Sequence, residues 1–318
     1  MATQILNTIG TTYTPAAAGI LKQLGEVNCQ NLDQNQLLEL IPKYNVLLVG
    51  LGLNINKEVI DRGQNLKVIA TVTTGLDHID LDAAMARSIS VLSLRGENDF
   101  LDTISGTAEL ALGLMINLCR QIHLATQSVQ RGEWQRELFR GRSLIGKTLG
   151  IVGLGRLGKM MARYGHGLGM NIVFADPNVD SIRFPDYKKL SLDELVVVSD
   201  VISLHLHLNN ETKGMINGRL FQKMKPTSYI INTSRDGIVN ETDLIDALQL
   251  KTISGYATDV LSGEVDFGGM VPPDHPLVLY SKNNPNVIIV PHIGGMTVES
   301  REATDIFIAN KLKKFLFV

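Results

Sequence analysis

Two cysteines, one tryptophan and 5% aromatic residues are all that these 318 residues hold of those types. With only Cys29 and Cys119, no Cys-x-x-Cys and no clustered Cys/His spacing, neither a disulfide framework nor a structural zinc site is expected. No metal site is foreseen, and a reducing cytoplasm fits. An excess of charge is also missing: 30 Lys+Arg stand against 32 Asp+Glu, scattered along the chain. That leaves no electrostatic footprint for nucleic acid or an anionic membrane. Long apolar runs are absent too. The longest, Val46 to Leu53, is eight residues broken by glycines, and the opening MATQILNTIG has neither a basic flank nor a long apolar core. Neither export nor a membrane span is expected. Small-molecule partners remain.

What is present is enough apolar material, 44%, for two domains with real cores. Short apolar strands, Ile5-Leu6, Val46–Val49, Val68–Ala70 and Val91-Leu92, alternate with helix-like stretches such as LDAAMARS. This is the rhythm of parallel βα units. From Ile104 the apolar positions Ala108, Ala111, Met115, Leu118, Ile122 and Ala125 fall at steps of three and four as far as Gly132. They predict one long helix of about 27 residues. Six further strand candidates follow in KTLGIVGLG, NIVFAD, DVISLHL, SYIINTS, ISGYATDV and NVIIVPH. Several are near-continuously apolar, as buried parallel strands are, and a doubly wound second domain is expected. The last segment, ESREATDIFIANKLKKFLF, is an amphipathic helix with no strand after it and must dock on something already built.

In GIVGLGRLGK, Gly153, Gly155 and Gly158 follow a strand and open a helix. Their spacing suits a tight turn, a close backbone approach to a pyrophosphate, and close helix–strand packing. The next strand ends in Asp176, 23 residues after Gly153, where a carboxylate meets an adenosine ribose and repels a 2′-phosphate. NAD is therefore expected over NADP, unless Asp176 is only a turn residue before Pro177. Beyond this turn, Arg235, Glu264 and His292 stand at or just past strand ends, where ligands of open α/β sheets bind. A guanidinium grips a carboxylate, a histidine exchanges a proton near neutral pH, and a glutamate beside it holds the imidazolium. These are the groups needed to oxidise a hydroxy acid.

The stretches TTGLDHIDLDAA, GKTLGIVGLGRLGK, MKPTSYIINTSRDGIVNE, ATDVLSGE and VPHIGG occur in one order and at characteristic spacings. In them the chain resembles, over nearly its whole length, the D-isomer-specific 2-hydroxyacid dehydrogenases of phosphoglycerate, glycerate and lactate type, in the short form without a C-terminal regulatory domain. The resemblance implies an NAD-dependent enzyme moving a hydride between NAD(H) and a small 2-hydroxy or 2-oxo acid. By it, Arg235 binds the substrate carboxylate and carbonyl, His292 is the acid/base and Glu264 its partner. Thr74-Gly75 is the backbone cradle for the carboxylate. Arg156-Leu157 touch the pyrophosphate, Asp259 the nicotinamide carboxamide, and Thr107, Thr233 and His205 lie near the cofactor, with a packed structural role open for His205. The implied fold is a Rossmann nucleotide-binding domain, 104–295, inserted into a flavodoxin-like substrate domain, 1–103 plus 296–318, with the long helix helping to form a homodimer. An NAD-sensing, corepressor-like protein on the same fold is the alternative. Formate oxidation is disfavoured because Glu264 stands where such members carry glutamine.

Several departures stand out. Thr71 and Val72 lie where phosphoglycerate enzymes of the family carry an arginine, Val265 replaces a common proline, and Asp236 follows Arg235 in place of glycine. The loop SLRGENDFLDTIS is longer than the family's usual form. It brings Arg95 toward the substrate side, either to read an anionic tail or to pair with Glu97 or Asp99.

Overall fold

The computed structural model describes residues 2–180, 182 and 184–317. The chain divides into two units: Met1–Ile104 with Gly263–Pro272 and Met296–Val318 (unit 1), and Ser105–Ser262 with Pro273–Gly295 (unit 2). Residues 263–272, Glu264 among them, group with unit 1.

Unit 1 holds five parallel strands, β1 (Thr3–Asn7), β2 (Gly25–Cys29), β3 (Val46–Val49), β4 (Val68–Thr71) and β5 (Ser90–Leu92), in the order β2-β1-β3-β4-β5. This is the flavodoxin-like order. Strands β3 and β4 are buried along their length, whereas the edge strand β2, Gly-Glu-Val-Asn-Cys, is not. That polar edge is why its sequence carries no strand signal. The C-terminal helix Val298–Leu316 starts on a Thr297 cap and buries Ile308, Ala309 and Leu312 among Ile5, Val46 and Val68. Asp305 fixes it further. Its Oδ2 accepts the Thr14 amide at 3.0 Å, its Oδ1 lies 3.1 Å from Arg301 Nη2, and its carbonyl accepts the Tyr13 hydroxyl at 3.0 Å. Burial pushes the Asp305 carboxyl above the usual range, against the opposing pull of Arg301. The orphan helix therefore docks on its own unit.

Unit 2 holds seven parallel strands, β6 (Thr148–Val152), β7 (Asn171–Ala175), β8 (Lys188–Lys189), β9 (Val201–Leu204), β10 (Tyr229–Asn232), β11 (Gly255–Thr258) and β12 (Val287–Ile289). The order β12-β11-β10-β9-β6-β7-β8 reverses between β6 and β9, giving the dinucleotide-type switch point there. The two-residue β8 is exposed and was not foreseen. The expected single helix is two, Gly106–Arg120 and Ile122–Gln130, separated by Gln121 at φ 54°, ψ 36°. Asn117 makes the break: its carbonyl accepts the Gln121 amide, and its side-chain oxygen accepts the His123 amide at 2.9 Å. The His123 ring also lies 3.0 Å from the Pro285 carbonyl, which fixes the second helix. The apolar period runs through the break, so periodicity alone does not reveal it. Among the described residues no helix is long and apolar enough to cross a membrane.

Candidate active site

The three glycines after β6 do three different things. Gly153 sits at φ +89°, and a Cβ there would lie 2.4 Å from the His205 carbonyl. A Cβ on Gly158, in the helix Arg156–Gly167, would lie 2.1 Å from the Gly153 carbonyl, so helix and turn touch through backbone. Above Gly155, where a Cβ would meet nothing within 4 Å, the space is open. Arg156 and Leu157 form the first turn of that helix, both half-buried, with the amide end of its dipole toward the open side. Asp176, just past β7, accepts the Leu154 amide on Oδ2 (2.9 Å) and the Asn178 amide on Oδ1 (2.8 Å). The carboxylate thus ties the glycine turn to the strand beside it.

Past β9, His205 keeps Nε2 2.9 Å from Ser203 Oγ, while its Nδ1 is buried without a hydrogen-bond partner. Burial pulls its pKa down to about 4, so the ring is neutral at physiological pH. Thr233 Oγ1, past β10, is likewise buried and unpartnered. Open space over Gly155, a helix N-terminus and two unanswered polar atoms past the neighbouring strands β9 and β10 fit a dinucleotide. Ser234 spans the same strand ends, donating to Leu204 O at 2.5 Å and accepting the Leu206 amide at 3.2 Å.

Arg235 follows in extended backbone (φ −145°, ψ 144°) and donates from Nη1 to the Ser234 carbonyl at 2.7 Å. Beneath it the buried Asn232 donates to the Arg235 carbonyl (2.9 Å) and lies 3.2 Å from the Tyr256 hydroxyl, while its side-chain oxygen accepts the Ser234 amide (3.1 Å). Burial pushes that tyrosine up to about 12, keeping it a neutral hydroxyl. His292, after β12, holds the left-handed conformation (φ +47°), which a non-glycine residue keeps only when its surroundings impose it. The His292 amide reaches the Val290 carbonyl at 3.0 Å, and the second imposing group is Asp259. Its carbonyl accepts the His292 amide (2.9 Å), and its Oδ2 accepts the Gly294 amide (2.9 Å). Thr107 flanks the same glycine, 3.1 Å from where its Cβ would stand. Asn232, Ser234 and Gly294 were not foreseen as site residues. A polar Asn-Thr-Ser run that closes an otherwise apolar strand is the signal from which the first two could be found.

In unit 1, Thr74 and Gly75 follow β4. Among the described residues neither of their amides has a hydrogen-bond partner. Thr73 sets their conformation, donating from Oγ1 to the Gly75 carbonyl (2.7 Å) and accepting the Leu94 amide on its own carbonyl (3.0 Å). Thr71 and Val72 are buried, so no cation can be offered from the position where the family has arginine. Arg95 is exposed and makes no ion pair among the described residues. Glu97 is held instead by Lys311 Nζ at 2.5 Å, and Asp99 makes no ion pair with Arg95 among the described residues. Glu264 opens a short turn, Glu264–Asp266, six residues past the end of β11.

Residues 112–294 match the family described as D-isomer specific 2-hydroxyacid dehydrogenase, NAD binding domain. The hydroxypyruvate reductase of Thermotoga maritima is 34% identical over 291 residues, 92% of this chain and 91% of that protein. The D-3-phosphoglycerate dehydrogenase of Methanocaldococcus jannaschii is 34% identical over 94% of this chain, which spans 55% of that protein's length. Among solved structures, D-lactate dehydrogenase from Aquifex aeolicus, complexed with NAD and lactic acid, superposes with a TM-score of 0.86 at 27% identity, covering 98% of this chain and 95% of that one. With the Rossmann order of unit 2 and its glycine turn, these likenesses establish that the chain belongs to the D-isomer specific 2-hydroxyacid dehydrogenases, NAD-dependent oxidoreductases of 2-hydroxy acids.

Proposed function

We propose that the protein reduces a small 2-oxo acid with NADH, or runs the reverse oxidation, with His292 as acid/base. The observation that carries this is the Asp259 clamp, which holds His292 in a strained backbone conformation at the carboxyl end of β12, in the unit that bears the glycine turn. Bound NADH supplies the hydride. His292 delivers a proton to the carbonyl oxygen of the oxo group and takes it back in the oxidative direction, with Glu264 the carboxylate that sustains the imidazolium. Arg235 grips the substrate carboxylate with paired N–H groups, pre-oriented by its bond to Ser234 O and by Asn232 beneath it. Thr74, Gly75 and Arg95 serve the substrate. Gly153, Gly155, Arg156, Leu157, Gly158 and Asp176 serve the pyrophosphate and ribose, and Thr107, His205, Thr233 and Asp259 the nicotinamide side.

Glyoxylate, hydroxypyruvate, 3-phosphohydroxypyruvate and related 2-oxo acids are the compounds to test, since the relatives' names point to that class. Oxidation of NADH by at least one of them is expected. NADH bound tightly and never consumed would instead make the protein a sensor of the dinucleotide. A homodimer in the cytoplasm completes the reading, supported by apolar residues left in water after the broken helix: Trp134 is 87% exposed and Ile145 73%. The near-neutral charge supports partners other than nucleic acid or membranes.

A further inference from the structure

We propose that Lys311 and Glu97 hold Arg95 at the rim of the Thr74-Gly75 cradle, where it reads a second anionic group, carboxylate or phosphate, on the tail of the substrate. The inference rests on the dehydrogenase reading above and narrows its substrate class.

Every contact involved lies within unit 1. Leu94, the residue before Arg95, donates its amide to the Thr73 carbonyl, so the chain leaves the cradle itself one residue before the cation. The loop then turns back tightly. Arg95 N donates to Ser93 Oγ (3.2 Å), Gly96 takes φ +87°, Glu97 N returns to Leu94 O (3.2 Å), and Asn98 N reaches Gly96 O (2.9 Å). Lys311, from the C-terminal helix, bolts this turn at two points, Ser93 O at 2.8 Å and Glu97 Oε1 at 2.5 Å. One helical turn earlier, Phe307 stacks on Phe100 with ring centroids 4.1 Å apart.

The arrangement has a chemical consequence. Glu97, the acid nearest Arg95 in sequence, has its charge answered by Lys311, and Asp99 lies exposed without pairing to Arg95. Among the described residues the Arg95 guanidinium is thereby left without an ion-pair partner, on a loop whose backbone is tied at Leu94 to the residue before the cradle. Since Thr71 and Val72 are buried and offer no charge, Arg95 is the cation this side of the cradle presents to a substrate tail. A guanidinium carried on a pinned loop binds an oxyanion through charge-assisted hydrogen bonds. Arg95 is the binding group, and Lys311 and Glu97 are positioning residues.

The test compares kcat/KM with NADH for two substrates with anionic tails, 2-oxoglutarate (carboxylate) and 3-phosphohydroxypyruvate (phosphate), against two with neutral tails, glyoxylate and hydroxypyruvate. Wild-type enzyme should favour at least one anionic tail, and which one identifies the group read. Arg95→Ala should lower the anionic-to-neutral ratio by about 10- to 150-fold, the worth of a charge-assisted hydrogen bond. Lys311→Met should lower the same ratio by a smaller factor and Lys311→Arg should restore it, with Glu97→Gln as a second route if Lys311→Met fails to fold. Turnover of neutral tails with no preference for anionic ones, or a ratio unmoved by Arg95→Ala, overturns the inference and leaves the dehydrogenase standing. A ratio that falls in Arg95→Ala and not in Lys311→Met or Glu97→Gln overturns the positioning role. No NADH oxidation with any of the four overturns the dehydrogenase reading and this inference together.

Discussion

The carboxyl ends of the two sheets are built by different means. In unit 2 they are laced by side chains: the half-buried Asp176 on the glycine turn, and the buried Ser234 between β9 and β10, Asn232 under Arg235 and Asp259 clamping the His292 turn. In unit 1 the cradle hangs on backbone bonds and the Thr73 hydroxyl, and its neighbouring loop is pinned by a lysine 214 and 218 residues away along the chain. Hydride and proton transfer tolerate little misplacement, and short-range lacing by Asp, Asn and Ser supplies that rigidity. Recognition of a substrate tail needs only a charge in roughly the right place, which a loop and one distant bolt provide. The first kind of end is expected to fail in chemistry when altered, the second in selectivity.

The largest test of this contrast is His292→Ala, which should lower kcat by about 10² to 10⁴, as loss of proton transfer does, with NADH oxidation followed in the steady state. Arg235→Ala should damage KM and kcat together, because it holds both the acid and its reacting carbonyl. A drop of less than tenfold for His292→Ala would take the acid/base out of unit 2 and dissolve the distinction. Next comes cofactor choice. A carboxylate about 4 Å from a phosphate at an effective dielectric near 20 costs on the order of 4 kcal/mol per unit charge, so Asp176 predicts a roughly hundredfold or greater preference for NADH over NADPH in kcat/KM. Asp176→Asn keeps an acceptor for the turn and removes the charge, so it should erode that preference. Equal use of both cofactors by the wild type would reduce Asp176 to its backbone role.

Much of unit 2 was legible because its chemistry demands few residue types at fixed spacing. The glycine turn, Asp176, Arg235 and His292 are each marked by a strand of buried apolar residues ending just before them. What escaped was held by partners that sequence distance hides. Lys311 looks like any charge on an amphipathic helix until the fold sets it on Ser93 and Glu97. Asn117 breaks the expected long helix by capping its second half, while the apolar period continues unchanged. Strand β2 is half-polar because it is an edge, and edges carry a weak alternation signal.

Acid should separate the two units with opposite signs, by the smallest of the expected effects. His205 in unit 2 is depressed by burial to about 4 from an ordinary 6.5. Between those values the unfolded chain binds more protons than the folded one. The stability it contributes is therefore present above about pH 6.5 and lost as pH falls through 4. A shift of that size corresponds to an effect on the order of 3 kcal/mol, less because the residue as a whole is only half-buried. Asp305 in unit 1 is displaced the other way, its carboxyl raised by burial. Its contribution is present below the ordinary carboxylate pKa and lost as pH rises through the raised folded value, so acidification favours the folded form there. Hydrogen-exchange protection factors at pH 7 and 4.5 read the two ends separately. The His205 and Leu206 amides, bonded to Val152 O and Ser234 Oγ, should lose protection in acid, and the Thr14 amide, bonded to Asp305 Oδ2, should hold or gain it. His205→Gln, which does not titrate, should abolish the loss in unit 2 and leave Thr14 unchanged. Equal losses at both ends would mean that acid acts on the whole molecule at once and that the two ends are not separately held.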